Sequence, residues 1–151
     1  MPKVAASRHI ATPPTSLWDL MSRVDLRANW DLSVKQFHRS GRDDDLPNMR
    51  LRYRAPLIFG LFWEWEGAYV TYKPPHRTAV QMVNGSRLRP FKRLAGSWIL
   101  SEESGGTRLE LIVQFESRLP IAAKLMSPMI KRILERSLVR LEELASGRSH
   151  P

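Results

Sequence analysis

The sequence predicts an α+β fold in which a curved antiparallel sheet of about seven strands wraps around a long C-terminal helix, with two short helices after strand one. Three observations carry this expectation. Apolar residues alternate with period two through most of the chain. The period lengthens to that of a helix near both ends, and clusters of Gly, Pro, Ser and Asp punctuate the segments between. At 151 residues the chain is long enough for one real core and too short for two comfortable ones. A single domain is expected over residues 1–146, followed by a flexible tail at 147–151.

The first strand reads from Val4 to Ala11 and stops at Thr12-Pro13-Pro14. Proline at a first helical position already has the backbone angle that the turn needs, so helix one starts at Pro14. Leu17, Leu20, Met21 and Val24 recur at three- and four-residue steps and carry it to about Asp25, and a short second turn spans Leu26 to Trp30. Six strands follow: Leu32 to Ser40, Asn48 to Ala55, Leu61 to Tyr72, Arg77 to Asn84, Phe91 to Glu102 and Thr107 to Ser117. Their breaks carry turn chemistry at Gly41 to Asp45, Pro56 to Gly60, Lys73 to His76, Gly85-Ser86 and Ser104 to Gly106. Short loops favour antiparallel neighbours.

Alternation assigns faces. Thr107, Leu109, Leu111, Val113 and Phe115 share the dry side of the last strand. Met49, Leu51 and Tyr53 oppose Arg50, Arg52 and Arg54, which face water as a charge ladder with Glu64 and Glu66 as partners. From Pro120 to Ala145 a helical stripe runs through Met126, Ile130, Ile133, Leu134, Leu138, Leu141 and Leu144. Ser127-Pro128 should kink this helix or restart it. A sheet with one apolar face must wrap such a helix, and a curved sheet cannot close on it everywhere. The gap is the natural place for a ligand cavity.

Composition narrows the function. No apolar run approaches a membrane span, there is no apolar leader of the secretory kind, and there are no cysteines, so a cytoplasmic protein is expected. The 24 Lys and Arg against 15 Asp and Glu give a net charge of +9. That excess favours acidic partners such as an anionic membrane surface or a ribonucleoprotein. The histidines at 9, 38, 76 and 150 are scattered and form no metal set, and no cofactor is expected. Gly105-Gly106 belongs to a hairpin and not to a phosphate loop, and no serine occupies a nucleophile elbow. What remains is an inward wall of Tyr53, Trp63, Trp65, Tyr69, Gln81 and Trp98, with Met126 and Ile130 opposite on the helix. Such rings stack on a flat apolar ligand while directing a polar handle at a carbonyl or hydroxyl. Trp18 and Trp30 are assigned to packing against the sheet, ahead of the cavity mouth.

Arg8-His9-Ile10-Ala11, Pro13-Pro14, Leu17-Trp18 and Trp30, then Lys73-Pro74-Pro75-His76-Arg77, Pro90 to Leu94 leading to Trp98, and Gly105-Gly106-Thr107-Arg108 stand in an order that resembles the START-like superfamily. That superfamily includes polyketide cyclases and coenzyme Q-binding proteins, and the likeness covers nearly the whole chain. It implies a helix-grip fold around a hydrophobic small molecule: a polyketide, quinone or lipid. Trp63-Glu64-Trp65 is similar to the tryptophan pair of aromatic polyketide aromatase/cyclases. Those enzymes place an arginine four residues beyond the second tryptophan and another on the next strand. Here Tyr69 and Met82 stand at those positions, so the resemblance implies a carrier or sensor ahead of a cyclase or dehydratase, with Tyr69 the residue for any chemistry. The coenzyme Q-binding branch also contains ribosome-associated members, a third expectation.

Overall fold

A computed structural model describes residues 1–40, 49–56, 60–87, 89–119 and 121–147. In chain order the elements are β1 (Lys3–Ile10), α1 (Pro14–Met21), a 3-10 turn (Val24–Leu26), α2 (Arg27–Trp30), β2 (Gln36–Ser40), β3 (Arg50–Pro56), β4 (Phe62–Lys73), β5 (Arg77–Gly85), β6 (Phe91–Glu103), β7 (Gly106–Ser117) and α3 (Ala122–Ala145). The expected turn at Gly41 to Asp45, the strand start at Asn48, the helix start at Pro120 and the tail beyond Gly147 lie outside the described residues.

The strands form one antiparallel sheet in the order β1-β7-β6-β5-β4-β3-β2. The first strand pairs with the last, Ile10 opposite Thr107 and Lys3 opposite Gln114, and the intervening strands meander. Register shifts at Glu66/Gly67, Tyr69/Thr71 and Phe91/Arg93 bend the long central strands, since each bulge raises the local twist. The curved sheet grips α3, which lies against β1 and β7, while α1 and α2 fill the space beside it. The expected face alternation holds on β7 and β3, where Leu109, Leu111, Phe115, Leu51 and Tyr53 are buried. Each fully buried aliphatic or phenyl side chain contributes about 1.5–3 kcal/mol. On the outer face the ladder forms as expected, Arg52 opposite Glu66 at 3.8 Å and Arg54 opposite Glu64 in register.

Several details differ from the sequence reading: α1 ends at Met21, short of the expected Asp25, and Val24, 41% exposed, falls in the following 3-10 turn. β2 begins at Gln36 and not at Leu32, because Asp31 Oδ1 accepts both the backbone N–H (3.0 Å) and the hydroxyl (2.6 Å) of Ser33. That local turn competes with strand pairing, and the ladder starts only where Lys35 N–H donates to the Arg54 carbonyl at 2.7 Å. Of the two outcomes expected at Ser127-Pro128, a kink or a restart, the restart does not occur, since α3 runs through Pro128. Ser127 Oγ donates back to the Ala123 carbonyl at 2.9 Å in place of capping a new helix. Pro128 lies on the exposed face, where water can satisfy the carbonyl that its missing N–H leaves unpaired.

Candidate ligand site at the seam of the core

The buried residues fall into two clusters. One gathers β1, β6, β7 and the helices around Leu17, Trp18, Trp30, Trp63, Leu109 and Phe115. The smaller one joins Val34, Met49, Leu51, Tyr53 and Val80 under β2 to β5. Trp65 packs against both, so it marks the seam between them.

Local sequence places the rings there. Trp63 and Trp65 share the inner face of β4, 6.2 Å apart and nearly parallel. Trp65 also stacks on Tyr53 at 4.0 Å with 11° between planes, which is possible because the next inward position is Gly67. A Cβ at Gly67 would lie 2.6 Å from Val80 Cγ1 and 3.0 Å from the Trp65 ring. Farther along the wall Trp98 meets Trp30 at 5.8 Å and Trp18 at 6.2 Å, in tilted and edge-on contacts. Edge contacts of this kind add about 0.5–1.5 kcal/mol beyond burial. Trp63 and Tyr53 are buried, whereas Trp65, Tyr69 and Trp98 are half-buried although they point inward. These three rings are therefore not fully sealed from solvent. Met126 and Ile130 are half-buried on α3 and pack against the larger cluster.

Three placements correct or extend the expected wall. Gln81 is exposed: it pairs with Ala68, between the inward pairs of Val80 with Tyr69 and Met82 with Gly67, so alternation turns it to the outer face. Tyr72 joins the wall, with its ring 4.9 Å from Tyr69 and 5.7 Å from Trp18. The bulge at Tyr69/Thr71 inserts Val70 and inverts the alternation beyond it, which a strict period of two cannot reveal. The third addition is Arg27.

Arg27 lies on α2 with its guanidinium carbon 4.9 Å from the Phe37 ring centroid, 5.0 Å from Trp98, 5.4 Å from Trp30 and 5.6 Å from Tyr53. Rings of both clusters thus surround one cation, which each face attracts. Its Nε donates to Asp31 Oδ2 at 2.8 Å, and both side chains are only 11% exposed, so this is a buried pair and not a solvated one. Burial works against the guanidinium charge, but Asp31, Tyr53 and Tyr69 together outweigh it and raise the Arg27 pKa. Asp31 in turn holds Ser33, and the next amide, Leu32 N–H, donates to Ser137 Oγ on α3 at 3.0 Å. The cation is therefore fixed to the long helix through its own counter-ion. Trp30 Nε1, beside it, is buried with no hydrogen-bond partner among the described residues. The i, i+4 spacing of Arg27 and Asp31 was the available sequence signal.

Burial raises the Tyr53 phenol well above its ordinary value, while the Arg27 charge and hydrogen bond oppose the rise. A group whose folded pKa is raised adds stability below its unfolded pKa and loses it as pH climbs toward the folded value. Stability should therefore fall as pH rises above the ordinary tyrosine value of about 10. Ultraviolet titration should show the Tyr53 phenolate appearing only as the chain unfolds. Tyr53→Phe should abolish that late step, and a fully titrating native protein would contradict the burial.

A groove of about 380 Å³ is lined by Arg52, Arg54, Glu64 and Glu66 of the ladder together with Tyr53 and Trp65 of the aromatic wall. Among the described residues no group of three or more His, Asp or Glu could hold a metal, and no helix is long and apolar enough to cross a membrane.

A bent antiparallel sheet holding one long helix, with an aromatic wall between them, defines a helix-grip fold. The chain belongs to the family described as polyketide cyclase / dehydrase and lipid transport, which matches residues 1–146. Similar solved structures include a protein from Thermus thermophilus, 23% identical over 99% of this chain and 100% of that one, with a TM-score of 0.79. The di-domain ARO/CYC StfQ from the steffimycin biosynthetic pathway is 12% identical over 97% of this chain and 51% of its own, with a TM-score of 0.78. A START superfamily protein from Mycobacterium smegmatis is 18% identical over 97% and 95%, with a TM-score of 0.70. No curated protein matches the sequence.

Proposed function

We propose that the chain binds a flat hydrophobic molecule carrying a carbonyl or hydroxyl (a polyketide, quinone or lipid) at the seam, as a carrier or sensor. The observation that supports this most is Arg27, a caged cation among rings that remain partly open to solvent. Trp65, Tyr69, Tyr72 and Trp98 offer the stacking surface; Tyr53 and Trp63 back it, and Met126 and Ile130 close it from α3. A guanidinium has five N–H donors, so Arg27 can serve a ligand oxygen as well as Asp31. Trp30 Nε1 is a second donor in search of an acceptor.

Indole fluorescence reads the site directly. A quinone, a polyaromatic polyketide and a fatty acid should be titrated in turn, and native mass spectrometry should then recover a one-to-one complex with the best of them. Failure of the whole panel to quench or to be retained would end the proposal.

A second reading, as an aromatase/cyclase or dehydratase, is favoured by one observation. Arg27 bears electrostatically on Tyr69, the residue at the position where the resemblance puts an arginine on β4. In that reading Arg27 and Tyr69 would hold a ketone oxygen as it gains enolate character. Adding the protein to a minimal polyketide synthase should shift the product profile, and unchanged products would leave only the carrier.

A further inference from the structure

The first two turns of α3 turn a greasy face to solvent. Ile121 is 82% exposed, Leu125 77% and Met129 50%, and their i, i+4, i+8 spacing stacks them in one stripe. Leu119, in the segment before the helix, is 70% exposed. The helix's other apolar stripe, through Leu134, Leu138 and Leu141, already fills the core, so these residues are not needed for packing. The same end of the molecule gathers two more apolar side chains. Arg118 donates its amide to the Pro90 carbonyl and its guanidinium to the Arg87 carbonyl, and Ser86 N–H donates to the Glu64 carbonyl. These bonds tie the β7–α3 and β5–β6 connections to each other and to β4 at Glu64, and Leu61 and Phe62, 53% and 38% exposed, stand at the entrance to β4.

Charge surrounds the stripe. Lys124 flanks Leu125, and the exposed face of the following turns carries Arg132, Arg136 and Arg140, with Glu135 the acidic residue among them. Arg132, Arg136 and Arg140 form no ion pair among the described residues. Exposed Arg87, Lys92 and Arg93 lie on the β5–β6 side, where Arg93 pairs with Glu116 at 3.6 Å. A helix face that is aliphatic over two turns and cationic over the next two matches a bilayer interface, with side chains entering the acyl boundary and guanidinium groups among phosphates.

We propose that this end of the protein, led by Ile121 and Leu125, docks on the surface of an anionic membrane. The surface is separate from the aromatic seam, so the inference goes beyond the ligand proposal and stands or falls alone. A purely basic site for RNA would need the cations but not the exposed aliphatics. A protein partner is less well matched by charge than by grease, whereas a bilayer uses both.

Flotation with phosphatidylcholine vesicles, with and without phosphatidylglycerol, tests it. The full chain should float with the anionic vesicles at low salt and lose much of that binding in high salt. Leu125→Asp, at an exposed position, should weaken binding about tenfold or more. Each of Arg132→Ala, Arg136→Ala and Arg140→Ala should weaken it roughly fivefold on anionic vesicles alone. Ligand capture by the soluble variants should be unchanged, which separates this result from failure of the seam. Absence of wild-type flotation at low salt would overturn the proposal. So would RNA binding that is lost in the arginine variants but kept in Leu125→Asp without any vesicle binding. A dimer in sedimentation that Leu125→Asp dissociates, again without vesicle binding, would assign the stripe to a second copy and overturn it equally.

Discussion

Adding a single methyl group at Gly106 should destabilise the protein by about 3 kcal/mol or more, the upper range of overpacking. The Cβ would sit 2.1 Å from the Ile10 carbonyl oxygen and 2.9 Å from Ala11 Cα. Both obstacles are backbone, so no rotamer change relieves them. The strand end cannot slide away either, since Ile10 pairs with Thr107 and Thr107 Oγ1 donates to the Thr12 carbonyl at 2.6 Å. Thr12 leads directly into Pro13 and α1, which carries Trp18 to its contacts with Tyr72 and Trp98.

A loss of that size is a large share of the roughly 5–15 kcal/mol that holds a domain together. It should lower Tm by about 6–12 °C for a chain of this length. Gly105→Ala is the control: its φ of 79° strains any other residue, but its Cβ meets nothing within 4 Å. It should cost about 1 kcal/mol. Urea midpoints with unchanged slope should rank the two variants, and equal losses would mean that the β1–β7 closure does not confine Gly106 as described.

The order of elements and most faces were legible because they rest on periodicity. Leu109 to Phe115 alternate with Ile112 as the one exception, Leu51 to Tyr53 alternate fully, and the sheet has a single dry side. The stripe on α3 was legible for the same reason, at the period of a helix. Pairing of β1 with β7 has no such local signal, since it joins the ends of the chain; it follows only from the need to close the core.

The site was less legible where local geometry breaks the period. The bulge beyond Tyr69 hid Tyr72, and the outward turn of Gln81 depends on a register that pairs it with Ala68. Arg27 was missed for a different reason. An arginine on a four-residue helix reads as surface, and its burial follows from rings that arrive from β2, β3 and β6. Only the assembled fold shows that cage.

Replacing Arg27 with methionine should cost about 3–5 kcal/mol, since it strands Asp31 in a site from which water is largely excluded. The figure applies to a buried pair, and both side chains are 11% exposed. A loss below about 1 kcal/mol in urea unfolding would instead be that of a screened surface pair. Arg27→Met combined with Asp31→Leu should recover much of the loss, because apolar groups of similar volume often replace a buried pair without penalty. Recovery should stop short by about 1 kcal/mol, since Ser33 N–H loses its acceptor. The double variant therefore separates stability from recognition. It presents a folded seam of unchanged rings without the cation, and against the best ligand of the fluorescence panel it should bind at least about tenfold more weakly if Arg27 holds the ligand's oxygen, a loss of about 1.4 kcal/mol. Arg27→Lys keeps the charge but not the planar fork that lies among four rings, so it should fold and still bind less tightly than wild type. Undiminished binding by both variants would make Arg27 a structural cation alone, and would leave stacking by Trp65 and Trp98 to carry recognition.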